Sequence, residues 1–589
     1  MKSIRFTCLT LLIAGATAVA CSDDDAVTTP STSETPDASA KDSAATTTEA
    51  GSGDAGSTTT EDSGTTEDAG TDAGTDSGSV SVPTYVPAKG ATSAYVDTRL
   101  QLGFDAAPTL GTTGTIKIYN AADDTIVDTI DISDAVASAY DTQTIVPKAN
   151  TEVDGLGQGL ATLSGRARYV YYQPVSINGK VATVVLHNNK LVSGADYYVT
   201  VDASVFTGNL GGAAFAGIAK ADGWTFHTKA APASTTSVTV DDDGDADFRS
   251  VQGALNWMMT NGCSSCANST DAKTITIKNG DYNELLFLRS VNNLTITGES
   301  RANVVVHYEN FESYNSGSGG SATAAGTTLS NGRRVLGGGR PVLLVESADN
   351  LKLSTFTLQN THVKTAAFNN QAETIYDNSA NVVTSRFSAT HMNFVSAQDT
   401  LQLKGWDWLY DCYVAGDVDF IWGYPYAAVI ENSELHTIVN ATDNTNGGTV
   451  FQSRAYYGYP GFVVLNSTLT HDAAVPTGSV SLARSGGGTG CTAAGGYNCD
   501  NVAFVNTKMD THISAAGWFT TPTPTPSVAT DTTGWREYGS LDLAGATLNV
   551  ASRASVSGQM SAGAYAASYS TRQQVFASWN SNAGWNPTP

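Results

Sequence analysis

Positive charge is scarce in this sequence. Lys and Arg number 31 against 56 Asp and Glu, a formal net charge of −25. That balance excludes the phosphate backbone of nucleic acid as a partner. Histidine is scarcer: the eight present have no metal-ligand spacing, and no second C-x-x-C accompanies Cys263-Ser-Ser-Cys266. The Cys pair therefore reads as a local disulfide and not as half of a zinc site. The N-terminal apolar run, Leu9 to Ile13, is too short to span a bilayer as a permanent helix. Residues 22–80 lack large apolar side chains and carry 14 Asp and Glu against the single Lys41, a local net charge of −13. Such a stretch cannot bury enough surface to offset its ordering entropy, so disorder is expected there.

At 589 residues the chain is too long for one ordinary domain. Lys2 and Arg5 before the apolar run, and small residues after it, read as a secretory signal over 1–21. Ala18-Val19-Ala20-Cys21 resembles a bacterial lipobox, with Ala where such boxes usually begin with Leu. The alternative is an ordinary signal peptide cleaved near Ala20. The expected location is outside a bacterial cell, secreted or as a surface lipoprotein, with membrane contact only through Cys21. The acidic segment 22–82 then serves as a tether. In an oxidising compartment Cys491 and Cys499, which bracket a Gly-rich loop, are expected to pair, and Cys412, inside a strand pattern, to be buried core.

From 83 to 230 the pattern is short alternating strands, among them Thr115 to Tyr119, Ala182 to Leu186 and Tyr197 to Val201, which predicts a β-sandwich. Its ends, Pro87 to Thr92 and Gly223 to Thr228, resemble those of bacterial Ig-like modules. No cluster of catalytic residue types falls here. The module reads as a spacer or accessory domain, with glycan binding as the alternative.

The segment 234–589 is organised around Gln398 to Gly423. Asp399 and Asp419 lie 20 residues apart, each after a short apolar strand and a small-residue turn. An offset of about 20 residues is one coil of a solenoid, and equivalent positions of adjacent coils sit about 4.8 Å apart. Two carboxylates that close do not both ionise readily, so one is expected to hold a proton at neutral pH. That offers an anion beside an acid; aspartates that merely cap turns would show the same spacing. Glu431-Asn-Ser-Glu-Leu435, Leu465-Asn-Ser-Thr-Leu469 and Val505-Asn-Thr-Lys-Met509 repeat one motif, with Leu358-Gln-Asn-Thr-His362 as an earlier relative. Asn at those turns predicts left-handed bends of a parallel β-helix. The run Thr571 to Trp579 has helical spacing and is expected to cap one end of the stack. Asp241 to Asp243 invite a calcium reading, but the EF-hand pattern is absent.

These residues also carry a family resemblance. Gln398-Asp-Thr-Leu401 and Asp417-Val-Asp-Phe-Ile-Trp-Gly423 resemble two signature blocks of the pectin methylesterases. The stretch from Val238 to Leu255, Gly280-Asp-Tyr-Asn-Glu284, Asn293 to Gly298, Gln371-Ala-Glu-Thr-Ile375 and Leu482-Ala-Arg-Ser-Gly486 match further blocks in the family's order. The resemblance covers roughly 237–560. It implies an all-β fold, a right-handed parallel β-helix behind the sandwich, and hydrolysis of the methyl esters of pectin to pectate and methanol. It further implies Asp419 as nucleophile, Arg484 as its cation, Asp399 as acid and then base, and Gln371 and Gln398 as oxyanion donors, with no metal or other cofactor. The expected partner is methyl-esterified pectin and the expected state a monomer. Trp422, Tyr376, Tyr424 and Trp518 are candidate stacking platforms for sugar rings, each of which would otherwise be core. Three departures stand out: Gly486 where the family has Trp, Glu373 where an apolar Val is usual, and Trp422 where Phe is typical. The competing readings are an esterase of another substrate on this scaffold, a calcium-dependent β-helix lyase, and a non-catalytic β-helix polysaccharide-binding protein.

The anchoring expectation is open to a direct measurement. Mass spectrometry of the mature protein should find Cys21 lipidated at the N-terminus, and an unmodified N-terminus would remove the anchor.

Overall fold

In the computed structural model, residues 84–132 and 167–589 are described, apart from 313, 316–334, 338, 367–370, 380–382, 443–447, 487–490, 493, 521–525 and 527. Between 133 and 166 only the strands Ala135–Ala137, Ile145–Pro147 and Thr151–Val153 are described, by backbone. The signal, Cys21 and the acidic segment lie outside the described residues.

The alternating strands of the first described module form two sheets. Tyr85–Val86, Leu100–Gly103, Val181–Val184 and Val175–Asn178 make one. Ala91–Ala94, Thr225–Thr228, Asp196–Val201, Thr115–Asn120 and Ile126–Asp131 make the other. The inward residue of each alternation, such as Leu100, Leu102, Ile116, Ile118, Val199 and Phe226, enters one shared core. The two ends of the module meet: Thr225–Thr228 pairs with Ala91–Ala94, and the Trp224 indole donates to the Pro87 carbonyl at 2.9 Å.

Beyond Ser237 the chain winds as a parallel β-helix with three strand-bearing faces. Successive coils pair in register, so like residues stack. Ile275, Ile296, Leu353, Ala389, Leu409, Ile430, Val464 and Phe504 form one interior column. Val306, Leu358, Phe394, Val414, Leu435, Leu469 and Met509 form a second. Leu343, Ile375, Leu401, Ile421, Phe451 and Ala483 form a third. Their burial supplies the main driving force. One interior position breaks the pattern: Asp407, between Phe387 and Ala428, is fully buried, and both its oxygens lack a partner among the described residues. Burial holds its carboxyl well above the usual range, with neighbouring Asp377 adding to the effect.

From Thr355 onward, the corner that closes each coil uses a left-handed residue. Thr355, His391, Asp411, Asn432, Asn466 and Asn506 have φ between 49° and 61°, and Gly539 follows at 63°. Asn432, Asn466 and Asn506 thus take the bends expected of them, where Asn is among the least strained non-Gly residues. Asn360 does not. It ends the strand Thr357–Asn360, and its amide donates to the carbonyls of Asn310 at 2.6 Å and Glu373 at 3.0 Å. The C-terminal run also departs from expectation. Val575 and Phe576 pack on the outward side chains Trp406, Tyr426 and Val463 of successive coils, so the run covers a flank of the stack and not its end. The disulfides Cys263–Cys266 and Cys491–Cys499 are formed and Cys412 is free and buried.

The first coil is closed by the helix Val251–Asn261, whose Leu255, Met258 and Met259 complete the interior. Its N-terminus is buried, so the unpaired N–H groups there need acceptors. Ser250 Oγ accepts from Gly253 N at 3.0 Å, and Glu284 accepts from Val251 N at 2.9 Å and Gln252 N at 2.8 Å. Asp97, from the sandwich side, accepts from Arg249 N and Ser250 N at 2.9 and 2.7 Å. The G-x-Y-x-E motif therefore has a structural reason: Tyr282 fills the core and Glu284 caps the helix. Glu284→Ala orphans two buried N–H groups, and urea unfolding should show a loss of at least about 2 kcal/mol.

Candidate active site

One outward column crosses six coils. Leu344, Tyr376, Gln402, Trp422, Gln452 and Arg484 stand in register on the face that carries Leu401–Tyr410 and Val418–Glu431. Beside it runs a column of acids at the preceding turns. Ala372 N donates to Gln398 O, Thr374 N to Thr400 O, and Asp399 N to Val418 O, so Glu373, Asp399 and Asp419 occupy consecutive coils. Asp399 and Asp419 share a left-handed backbone, φ 64° and 46°, which Asp tolerates. Their spacing is one coil, about 4.8 Å along the axis.

The two aspartates differ in what holds them. Asp419 is 2 % exposed, and Arg484 Nε donates to its Oδ1 at 2.9 Å and Oδ2 at 2.7 Å, with a second guanidinium nitrogen also on Oδ2. Thr449 Oγ1 donates to Oδ1 and the Gln452 amide to Oδ2 at 3.1 Å. A carboxylate so surrounded by donors is fixed in one orientation. Among the described residues the Asp399 carboxyl accepts one bond, from Arg340 at 3.1 Å to Oδ2. Burial pushes its carboxyl well above the usual range, Glu373 and Asp419 push the same way, and Arg340 and Arg484 oppose them. Gln371 and Gln398 are half-buried, and neither side-chain amide is hydrogen-bonded among the described residues. Behind the acids, Lys364 and Asp417 form a buried pair at 2.9 Å. Burial raises the Asp417 carboxyl against the pull of Lys364.

The aromatic candidates separate. Tyr376 and Trp422 meet edge to face at 6.0 Å and Tyr424 meets Trp422 at 6.2 Å, all on the outward column's side. Trp422 is 5 % exposed, and its indole N–H has no partner among the described residues. Trp518 does not belong with them. It lies in the coil interior, stacked on Trp535 at 5.3 Å with its indole donating to Glu537, so it is core and no sugar platform. Gly486 has a local explanation: a Cβ there would meet Arg454 Cγ at 2.8 Å and Ser453 O at 2.6 Å. The Arg454 guanidinium lies over Trp422 and Tyr424, at 5.1 and 5.6 Å, and its Nε donates to Gln452 Oε1 at 3.0 Å.

No family model matches the chain. Pectinesterase 31 of Arabidopsis thaliana is 26 % identical over 292 residues, 49 % of this chain and 77 % of that protein. Among solved structures, the pectin methylesterase PemA from Erwinia chrysanthemi is 24 % identical with a TM-score of 0.44, covering 59 % of this chain and 99 % of that one. The pectin methylesterase from Yersinia enterocolitica is 23 % identical with a TM-score of 0.42, covering 56 % and 100 %. That from carrot is 17 % identical at 0.41, covering 60 % and 94 %.

Sequence reasoning did not single out Arg340, Glu312, Thr449, Gln452 or Arg454. Gln452 follows Phe451 as Gln402 follows Leu401, a periodicity that would have flagged it. Arg340 carries no such signal, since it follows a Gly-rich insertion. A cavity of about 980 Å³ between the sandwich and the first coils is lined by Arg99, Tyr172, Asn256 and Tyr308 among others, and by none of the five candidate catalytic residues.

The raised carboxyl of Asp399 has a stability consequence. A folded-state pKa above the unfolded one favours the fold fully below about pH 4, and that advantage is lost as pH rises toward the folded value. Asp399→Asn should therefore leave Tm near wild type at pH 4 and raise it at pH 8, as thermal unfolding at the two pH values would report. Arg340 keeps Glu373 and Glu312 in this variant.

Proposed function

We propose that this chain is a carbohydrate esterase that removes methyl groups from pectin, with Asp419 as nucleophile. The observation that carries the reading is the asymmetry of the acids: an arginine-clamped, donor-bound Asp419 lies one coil from an Asp399 that accepts a single bond from Arg340 and whose carboxyl burial holds well above its usual range. The similarity to named pectinesterases supports the same substrate class.

The steps follow from the charges. Asp419, held at both oxygens by Arg484, attacks the ester carbonyl carbon as a carboxylate, and the oxyanion that forms takes hydrogen bonds from the unengaged amides of Gln371 and Gln398. The carbon–methoxy bond breaks, and Asp399 gives its proton to the leaving oxygen, releasing methanol. Asp399, now a carboxylate, takes a proton from water. The hydroxide attacks the acyl carbon, and Asp419 departs as a carboxylate beside the free uronic acid, which gives its proton to solvent. Of the three aromatics on this side, Tyr424 is partly exposed and offers apolar surface for a sugar ring next to the ester, while Trp422 and Tyr376 are buried and pack as its support. The substrate is a polymer outside the cell, in keeping with an exported chain tethered through Cys21. The sandwich acts as an accessory module.

Asp419→Asn is expected to abolish methanol release from highly methylated pectin, because a neutral amide is no anionic nucleophile. Asp399→Asn should cost about 10²–10⁴-fold. Arg484→Ala should lower the rate and disturb the pH profile. Circular dichroism controls for folding, and small aryl esters assayed in parallel separate pectin from other ester substrates. Wild-type rates in folded Asp419→Asn protein would end this reading.

A further inference from the structure

Glu373 stands where the resemblance leads one to expect a small apolar residue, and its surroundings are not those of a chance substitution. It is fully buried, and both its oxygens accept from Arg340 Nε, at 2.9 and 2.8 Å. The same guanidinium donates through a second nitrogen to Glu312 Oε2 at 2.6 Å and through the third to Asp399 Oδ2 at 3.1 Å. Each nitrogen of Arg340 thus serves a different acid. The Glu373 backbone is pinned as well: the Asn360 amide donates to Glu373 O at 3.0 Å, and Val342 N donates to the same oxygen at 3.1 Å.

The contrast with Arg484 gives this arrangement its meaning. Two aspartates of the same backbone conformation each face an arginine. Arg484 directs two nitrogens at both oxygens of Asp419, a geometry that favours the anion. Arg340 divides itself among three acids and gives Asp399 a single bond. An undivided buried cation at that distance would favour the anionic form of Asp399.

We propose that Arg340 and Glu373 are positioning residues for Asp399: the guanidinium fixes Oδ2 and leaves Oδ1 for the departing methoxy group, while Glu373 neutralises enough of Arg340 for Asp399 to remain an acid. Oδ1 has no hydrogen bond among the described residues, and the Asp399 side chain is 11 % exposed, so this oxygen is reachable. The inference rests on the role given to Asp399 above. Four charged groups bear on Asp399: Arg340, Glu373, Asp419 and Arg484. Burial pulls the Arg340 guanidinium down, but Glu373, Asp399 and Glu312 outweigh it and hold it above its ordinary range, so it stays charged throughout.

The test is the alkaline limb of kcat/KM for methanol release from pectin, where Asp399 loses the proton it must donate. Glu373→Gln is nearly isosteric, removes a like charge from Asp399 and frees Arg340 toward it. The limb should move down by roughly one pH unit, about a tenfold loss of rate above it. Glu373→Asp keeps the charge and should restore the wild-type limb. Arg340→Gln/Glu373→Gln removes both charges and should return the limb above that of Glu373→Gln while kcat stays low, because Oδ2 is no longer held. Glu312→Gln, at the more open end of the cluster, should shift the limb down by less, and it decides the matter if Glu373→Gln does not fold. A limb unmoved in folded, active Glu373→Gln or Glu312→Gln protein, with only stability lowered, overturns the inference and leaves the esterase reading intact. Wild-type protein that releases no methanol overturns both.

Discussion

In-register stacking of parallel strands is the constraint on which everything else here depends. Each coil is hydrogen-bonded to the next at equivalent positions, so a residue type is repeated at about one strand spacing along the axis. For Ile, Leu and Val this is favourable, and the interior columns exploit it. For Asn it is tolerable, since Asn350 donates to Asn293 at 2.9 Å across a coil. For carboxylates it is costly. The column Glu373, Asp399, Asp419 exists because guanidinium groups reach it from two directions, Arg340 at one end and Arg484 at the other. Burial makes those cations necessary, because an unpaired buried charge would shift its protonation or unfold the site.

The start of the stack solves a different problem with the same currency of charge. A helix placed over the first coil hides its N-terminus, and two acids from separate parts of the chain, Asp97 and Glu284, accept the backbone donors around it. Burial raises both carboxyls, while the backbone N–H bonds oppose the rise. The sandwich is therefore coupled to the coils through the helix cap, since Asp97 lies between the sandwich strands Ala91–Ala94 and Leu100–Gly103. A spacer with no structural role would not need that contact.

Much of this was legible in the sequence because a solenoid writes its geometry as a period. The offset of 20 residues between Asp399 and Asp419, and the repeated Asn at 432, 466 and 506, give the coil and its corners directly. Local chemistry was equally readable in the two disulfides. Illegible were the contacts that cross coils out of period. Arg340 meets Glu373 and Asp399 across 33 and 59 residues, separations that are not multiples of the 20-residue offset. Trp518 reads like any other aromatic in a polar stretch, and only the fold reveals that it points inward onto Trp535. Asn360 shows the limit of motif reading, since a shared string places it at a strand end where it bridges carbonyls instead of turning the chain. The C-terminal run has helical spacing, yet spacing does not say whether a short helix covers an end or a flank.

Because the acids and arginines come from successive coils, their order along the axis is their order in the chain. The segment from Glu373 to Arg484 behaves as a ruler marked in strand spacings, set inside a rod whose length is otherwise free. Whole coils gained or lost before or after that segment leave every mark in place. One coil gained between Asp399 and Asp419 would double their separation and silence the site, although each coil would still be well packed. Variation in the overall length of such a protein is thus a matter for its ends and loops, while the interval between those two aspartates is frozen by the pitch of the backbone itself.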